Sequence, residues 1–202
     1  MFAKKILMAA SVGLTLSASA IAQPTANLTV TGKIAPAACS LTLSGGGVLD
    51  FGKVSTSPLD STWLPNKTVN LKVACGADTR FALKTIDNRK ASNPIVSINS
   101  YGLGNKISYY TLHIEGNQQG DGKPVVQLFS KNNGSSWATA TSGTTPFRND
   151  GIAGFARPGG TTAESFQNLA LELIVTPRIF PTKNLTDDIF LDGSATIELV
   201  YL

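Results

Sequence analysis

The apolar residues of this chain recur with a period of two almost everywhere, and helical periodicity is nearly absent. Leu28, Val30, Gly32 and Ile34 alternate with Asn27, Thr29, Thr31 and Lys33, which puts small and apolar side chains on one face of an extended strand. Further strands are expected at Ser40 to Leu43, Val48 to Val54, Thr68 to Cys75, Arg80 to Ile86, Lys106 to Glu115, Pro124 to Ser130, Leu169 to Phe180 and Ser194 to Leu202. Between them stand Gly45-Gly46-Gly47, Asp87-Asn88, Asp121-Gly122, Asn133-Gly134, Asp150-Gly151, Gly159-Gly160 and Asp192-Gly193, all residues that suit tight turns. The one helical candidate, Thr161 to Phe166, reads equally well as loop. Short strands at close spacing, with no linker and no long repeat, predict an all-β sandwich. At 42% hydrophobic and 15% charged, a chain of 202 residues is too apolar for disorder and suits a single core.

The N-terminus follows different rules. Met1 to Lys5 is short and basic, Ile6 to Leu16 is apolar, and Ala18 to Ala22 is rich in small residues. That layout predicts a secretory signal peptide over 1–22, cleaved before Gln23. Its apolar run falls short of the roughly 20 residues that span a bilayer. The expected organisation is therefore signal peptide 1–22, N-terminal extension 23–34 and a folded domain 35–202. The 17 basic residues include Lys4 and Lys5 of the signal peptide, so the mature chain nearly balances its 13 acidic ones, and nothing demands a nucleic-acid partner. In an oxidising compartment Cys39 and Cys75 are expected to pair, joining neighbouring strands. With no CxxC pair and His113 as the sole histidine, no metal or other cofactor is expected.

Motifs for catalysis are scarce. The chain has no Gly-x-Ser-x-Gly, HExxH or phosphate-cradling Gly-Lys-Ser/Thr sequence. Its carboxylates are scattered, and a glycosidase pair would meet only in the fold. His113 alternates opposite Leu112 and Ile114 and is expected to face solvent. Ser130 to Trp137 resembles the Asp-box hairpin of sialidase-like propellers, with Asn132 where that motif has Asp, and suggests a tight Asn133-Gly134 hairpin capped by Trp137. Trp63, Tyr101, Tyr109, Tyr110 and Trp137 form either a sugar-stacking platform or core. On these residues alone the chain reads as a non-enzymatic β-sandwich or as a self-contained secreted carbohydrate-binding module or glycan hydrolase.

The two chain ends narrow the choice. Ala26 to Ile34, a short spacer and then Cys39 resemble the start of subunits of bacterial chaperone-usher fimbriae, where an alternating extension precedes the first disulfide cysteine. At the other end Ala195, Ile197, Leu199 and Tyr201 alternate with Thr196, Glu198 and Val200, with a tyrosine next to last as in that family. The Cys39 to Cys75 spacing fits the pilin disulfide, and Leu49-Asp50-Phe51-Gly52 resembles the turn that follows the first cysteine strand there. Leu191 to Leu202 more narrowly resembles a sparsely characterised family of fimbrial proteins encoded beside chaperone and usher genes.

The resemblance implies an immunoglobulin-like, pilin-type sandwich that lacks its last strand and is completed by a donated one. It implies that Leu28, Val30 and Ile34 fill pockets of a neighbouring subunit, with Gly32 where the groove is shallow. It implies that Ala195, Ile197, Leu199 and Tyr201 form the strand that meets a periplasmic chaperone. The partners it implies are that chaperone, an outer-membrane usher, other fimbrial subunits and a host or surface receptor. The chain would pass through the periplasm to a surface fimbria, as a structural or minor subunit supporting adhesion. The stretch from Asn88 to Gly160 is expected to hold insertions that decorate the surface.

Overall fold

The computed structural model describes residues 38–53, 62–140, 144–181 and 188–202. The chain divides into two units, Met1–Ile34 and Ala35–Leu202, and every described residue belongs to the second. The expected strand Ala26 to Ile34, with Leu28, Val30, Gly32 and Ile34, lies outside the described residues. Among those described the fold is all-β, with no α-helix, and every strand pairing is antiparallel.

In chain order the strands are β1 (Cys39–Leu43), β2 (Thr62–Trp63), β3 (Lys67–Asp87), β4 (Ser100–Gly102), β5 (Ser108–Ile114), β6 (Gln119–Gly120), β7 (Lys123–Pro124), β8 (Val126–Ser130), β9 (Ala138–Thr139), β10 (Thr145–Pro146), β11 (Ile152–Ala156), β12 (Ser165–Ile179) and β13 (Ala195–Tyr201). The 21-residue β3 organises the rest. Its first part pairs with β1 on one side and β12 on the other, and β12 continues to β5. Its second part pairs with β13 on the first side and with β11 on the other, and β11 continues to β8 and β9. One strand thus belongs to two curled layers.

The sequence runs Thr68 to Cys75 and Arg80 to Ile86 are therefore halves of one strand. The stretch Gly76-Ala77-Asp78 carries no proline to end the ladder, and all three residues are exposed. Opposite it the register of β12 jumps: Phe166 faces Thr79 and Asn168 faces Ala74. The residues of β3 left without a partner across that jump bulge out, which bends the strand and carries it from one layer into the next. The Thr79 hydroxyl donates to the Ala77 carbonyl at 2.8 Å inside this bulge.

On either side of the bend the period of two governs burial. Val69, Leu71 and Val73 are buried while Thr68, Asn70, Lys72 and Ala74 are exposed; beyond it Phe81, Leu83 and Thr85 turn inward. The apolar ones meet Leu169, Leu171 and Leu173 of β12, Leu112 and Ile114 of β5 and Phe155 of β11 in one core. Tyr101 and Tyr110 stack there at 5.1 Å, and the Tyr101 hydroxyl donates to the Phe147 carbonyl at 2.9 Å. Burial pushes both phenols well above the ordinary tyrosine range.

Three features depart from the sequence reading. Val48 to Lys53 is not a strand, because left-handed Gly45, Gly46 and Gly47 turn the chain away after β1 and Asp50 Oδ1 accepts the Gly52 N–H at 2.7 Å in a second turn. Within the stretch from Asn88 to Gly160, β11 is a strand the sequence reading did not expect, and with β8 it extends the second layer and buries Leu128, Ile152 and Phe155. His113 does not face solvent freely: it is half-buried and its Nε2 lies 3.1 Å from Asn99 Nδ2.

Candidate functional site

The two outermost strands at one border of β3 define the most distinctive surface. β1 pairs with residues 71–75 of β3 and β13 with residues 81–87. Among the described residues the only ladder that β1 or β13 enters is the one with β3. Both edges keep the alternating pattern. Leu41 and Leu43 of β1, and Ala195, Ile197 and Leu199 of β13, pack against the core yet stay half-exposed, while Ser40, Thr42, Thr196 and Glu198 face out. Apolar rows left half-wet beside unpaired backbone are a template for strand addition.

The edges converge at one end and diverge at the other. At the closed end the Cys39 N–H donates to the Tyr201 hydroxyl at 3.1 Å. Cys39 there faces Cys75 across the ladder, Cα atoms 4.0 Å apart, and the two are disulfide-bonded as expected. Because β1 runs away from this junction and β13 runs toward it, Leu43 and Ala195 mark the open end. A cavity of about 680 Å³ lies there, bordered by Leu43 and Leu49 on one side and by Ala195 and Ile197 on the other. Its floor is core: Val69, Leu103, Tyr110, Leu112 and Leu173. A charged fringe of Asp50, Lys53 and Asp188 rims it.

Several groove residues escaped the sequence reading. Leu103 and Tyr110 come from the middle of the chain, and only the fold brings them beneath the edges. Gly193 lies against that floor: a Cβ there would stand 2.8 Å from Leu103 Cδ2 and 3.0 Å from Tyr110 Cε1, so a side chain would force the floor to shift. Leu49 and Phe51 had a signal in the Leu49-Asp50-Phe51-Gly52 turn, and that turn delivers both to the cavity wall.

The other candidates scatter. Tyr101 and Tyr110 are core residues, so the five aromatics do not share a platform; half-exposed Trp63 packs edge-on against buried Tyr109 at 6.0 Å. Ser130 to Trp137 does form a structural turn, though wider than a two-residue hairpin. Asn132 Oδ1 accepts from the Ser136 N–H and the Ser130 hydroxyl, and Asn133 and Gly134 take positive φ within the loop between β8 and β9. Trp137 covers Gly154 of β11, where any side chain would strike the indole. Among the described residues no three His, Cys, Asp or Glu side chains converge to hold a metal.

The fold and the groove define an all-β, sandwich-like protein with two half-paired edges over an apolar cleft. Residues 28–125 match a protein family described as protein of unknown function DUF1120. Two proteins of Escherichia coli strain K12 are similar to the chain. Protein GltF is 34% identical over an alignment of 111 positions that covers 49% of this chain and 43% of GltF, so the match spans less than half of that relative. The uncharacterized protein YhcF is 26% identical over an alignment covering 98% of each chain.

Proposed function

We propose that this chain is a non-enzymatic subunit of a chaperone-usher surface fimbria that polymerises by donor-strand exchange. The observation that carries the reading is the cleft between β1 and β13, apolar along both walls and floor, whose flanking strands pair with β3 alone among the described residues. A strand laid between them would gain backbone hydrogen bonds from both edges and put alternate side chains into the cavity. The extension 23–34 has that alternation. Burying Leu28, Val30 and Ile34 is worth about 5–9 kcal/mol before ordering costs.

Chain direction supports a head-to-tail fibre. Each copy's own extension leads into Cys39, at the closed end of its groove. If a donated strand seats Ile34 at the open end of the acceptor's groove, the donor's body follows there and the acceptor's own extension is free at the opposite end. The donor then runs antiparallel to β13. The reverse orientation would crowd two bodies and one extension at the closed end. A periplasmic chaperone would cover the same groove before assembly, an usher would export the subunit, and the finished fibre would present a receptor-binding surface for adhesion.

The test uses a chain beginning at Ala35, refolded from denaturant with and without a peptide spanning Pro24 to Ile34. The native peptide should raise the melting temperature by many degrees, and a peptide carrying Gly32→Arg should not. A truncated chain that is already stable and ignores both peptides would overturn the proposal in favour of a self-contained module.

A further inference from the structure

The open end of the groove carries more apolar surface than a donated strand needs. Phe190 is 82% exposed and Val48 is 76% exposed, and both sit in segments that border the cavity, Gly47 to Lys53 and Asp188 to Leu191. Val48 stands outside the cavity wall, whereas Phe190 borders the cavity with most of its surface in solvent. Phe190 is nevertheless positioned firmly, because Asn105 Nδ2 donates to its carbonyl at 3.0 Å and Leu191 beside it packs on the core. The closed end of the same molecule has its own exposed apolar pair, Tyr201 at 46% and Leu202 at 41%. Leu202 is fixed there by its N–H, which donates to the Arg80 carbonyl at 3.1 Å.

We propose that the Val48–Phe190 rim is the seat for the closed end of a second copy of this chain. The inference rests on the donor-strand reading and adds a body-to-body contact to it. The chain between donated strand and body is short. Between Ile34, the last residue of the donated stretch, and Cys39, the first residue of β1, stand only Ala35-Pro36-Ala37-Ala38. The five steps from Ile34 to Cys39 span at most about 18 Å, and Pro36 fixes one φ while no glycine loosens the rest. With Ile34 seated at the open end, the donor's Cys39–Tyr201 junction is tethered within that distance of the acceptor's rim. Two exposed apolar patches, one on each copy, are thereby held at high effective concentration, and burying them against each other excludes the water that both now face. The joint becomes a strand plus a seat.

The experiment compares two donors on one acceptor. The acceptor is the full mature chain carrying Gly32→Arg, which keeps its groove but cannot donate. The donors are the Pro24 to Ile34 peptide and a full mature chain, each fluorescently labelled, and the readout is the dissociation rate against excess unlabelled peptide. The whole-chain donor should leave at least tenfold more slowly than the peptide. Val48→Asp in the acceptor, or Leu202→Asp in the donor, should erase that difference while the peptide's own rate stays within twofold.

Equal rates for peptide and whole chain on the unaltered acceptor would overturn the seat, as would a difference that survives both substitutions. A peptide rate that rises as much as the whole-chain rate in the Val48→Asp acceptor would also overturn it, because Val48 would then be groove wall. If the unaltered acceptor captures no peptide at all, the donor-strand reading itself falls, a result separable from failure of the seat alone.

Discussion

Cys39 and Cys75 secure one wall of the groove to the body of the fold. They sit at the inner end of β1, whose ladder with β3 is the only one it enters among the described residues. Closing a loop of 36 residues of separation removes conformational freedom from the unfolded chain worth about 4 kcal/mol. Cys39→Ser with Cys75→Ser should lower the unfolding free energy by that order, measured in denaturant melts with and without reductant; reductant should change only the unsubstituted chain. His113 makes a second residue-scale prediction. Burial holds its ring below the ordinary value of 6.5, so the unfolded chain binds a proton where the folded chain does not. Stability on this account is complete above 6.5 and is lost as pH falls from there through the folded value. His113→Gln, which keeps a partner for Asn99, should flatten the pH slope of the urea midpoint in that window.

At the scale of elements, β13 is the strand on which the proposed function depends. Its Ala195, Ile197 and Leu199 face the core without being covered, whereas the equivalent residues of β12, Leu169, Leu171 and Leu173, are buried by strands on both sides. The difference lies in the neighbours, since the two sequences alternate alike. Ile197→Asp should put a carboxylate where an incoming strand must be apolar, and burying that charge unpaired is costly. We expect peptide capture to weaken by at least about 30-fold, measured by anisotropy, with the melting temperature of the unfilled chain changing little. Thr196→Asp, on the exposed face of the same strand, should leave capture unchanged.

At the scale of the whole molecule, the bend in β3 decides where the groove lies. Because one strand serves two layers, its border on the β1 and β13 side is split between them, and the wedge opens from the Cys39–Tyr201 contact toward Leu43 and Ala195. A polymer built on that wedge has direction. The full mature chain should form a ladder of oligomers on gels run without boiling, and Gly32→Arg should reduce the ladder to single subunits, since an acceptor that cannot donate ends a fibre.

The strand pattern was readable because alternation is local: whether Leu71 or Lys72 faces inward depends on the pleat, and the pleat has a period of two whatever the partners. The turns at Asp121-Gly122 and Gly45 to Gly47 were readable for the same reason, as was the pairing of the only two cysteines. Leu49-Asp50-Phe51-Gly52 was legible as a turn, yet the alternation around it also suggested a strand, and the left-handed glycines before it settled the competition. What no local pattern contains is which strands lack a neighbour. Ile197 and Leu171 carry the same signal in sequence, and only pairing separates a groove wall from a core strand. The floor is likewise tertiary, because Leu103, Tyr110 and Gly193 meet there from segments far apart in the chain. Sequence by itself determined that this protein is a β-protein with one disulfide; the tertiary structure alone decided that its strands close around an apolar cleft, since an open edge is a property of what stands beside a strand and not of the strand.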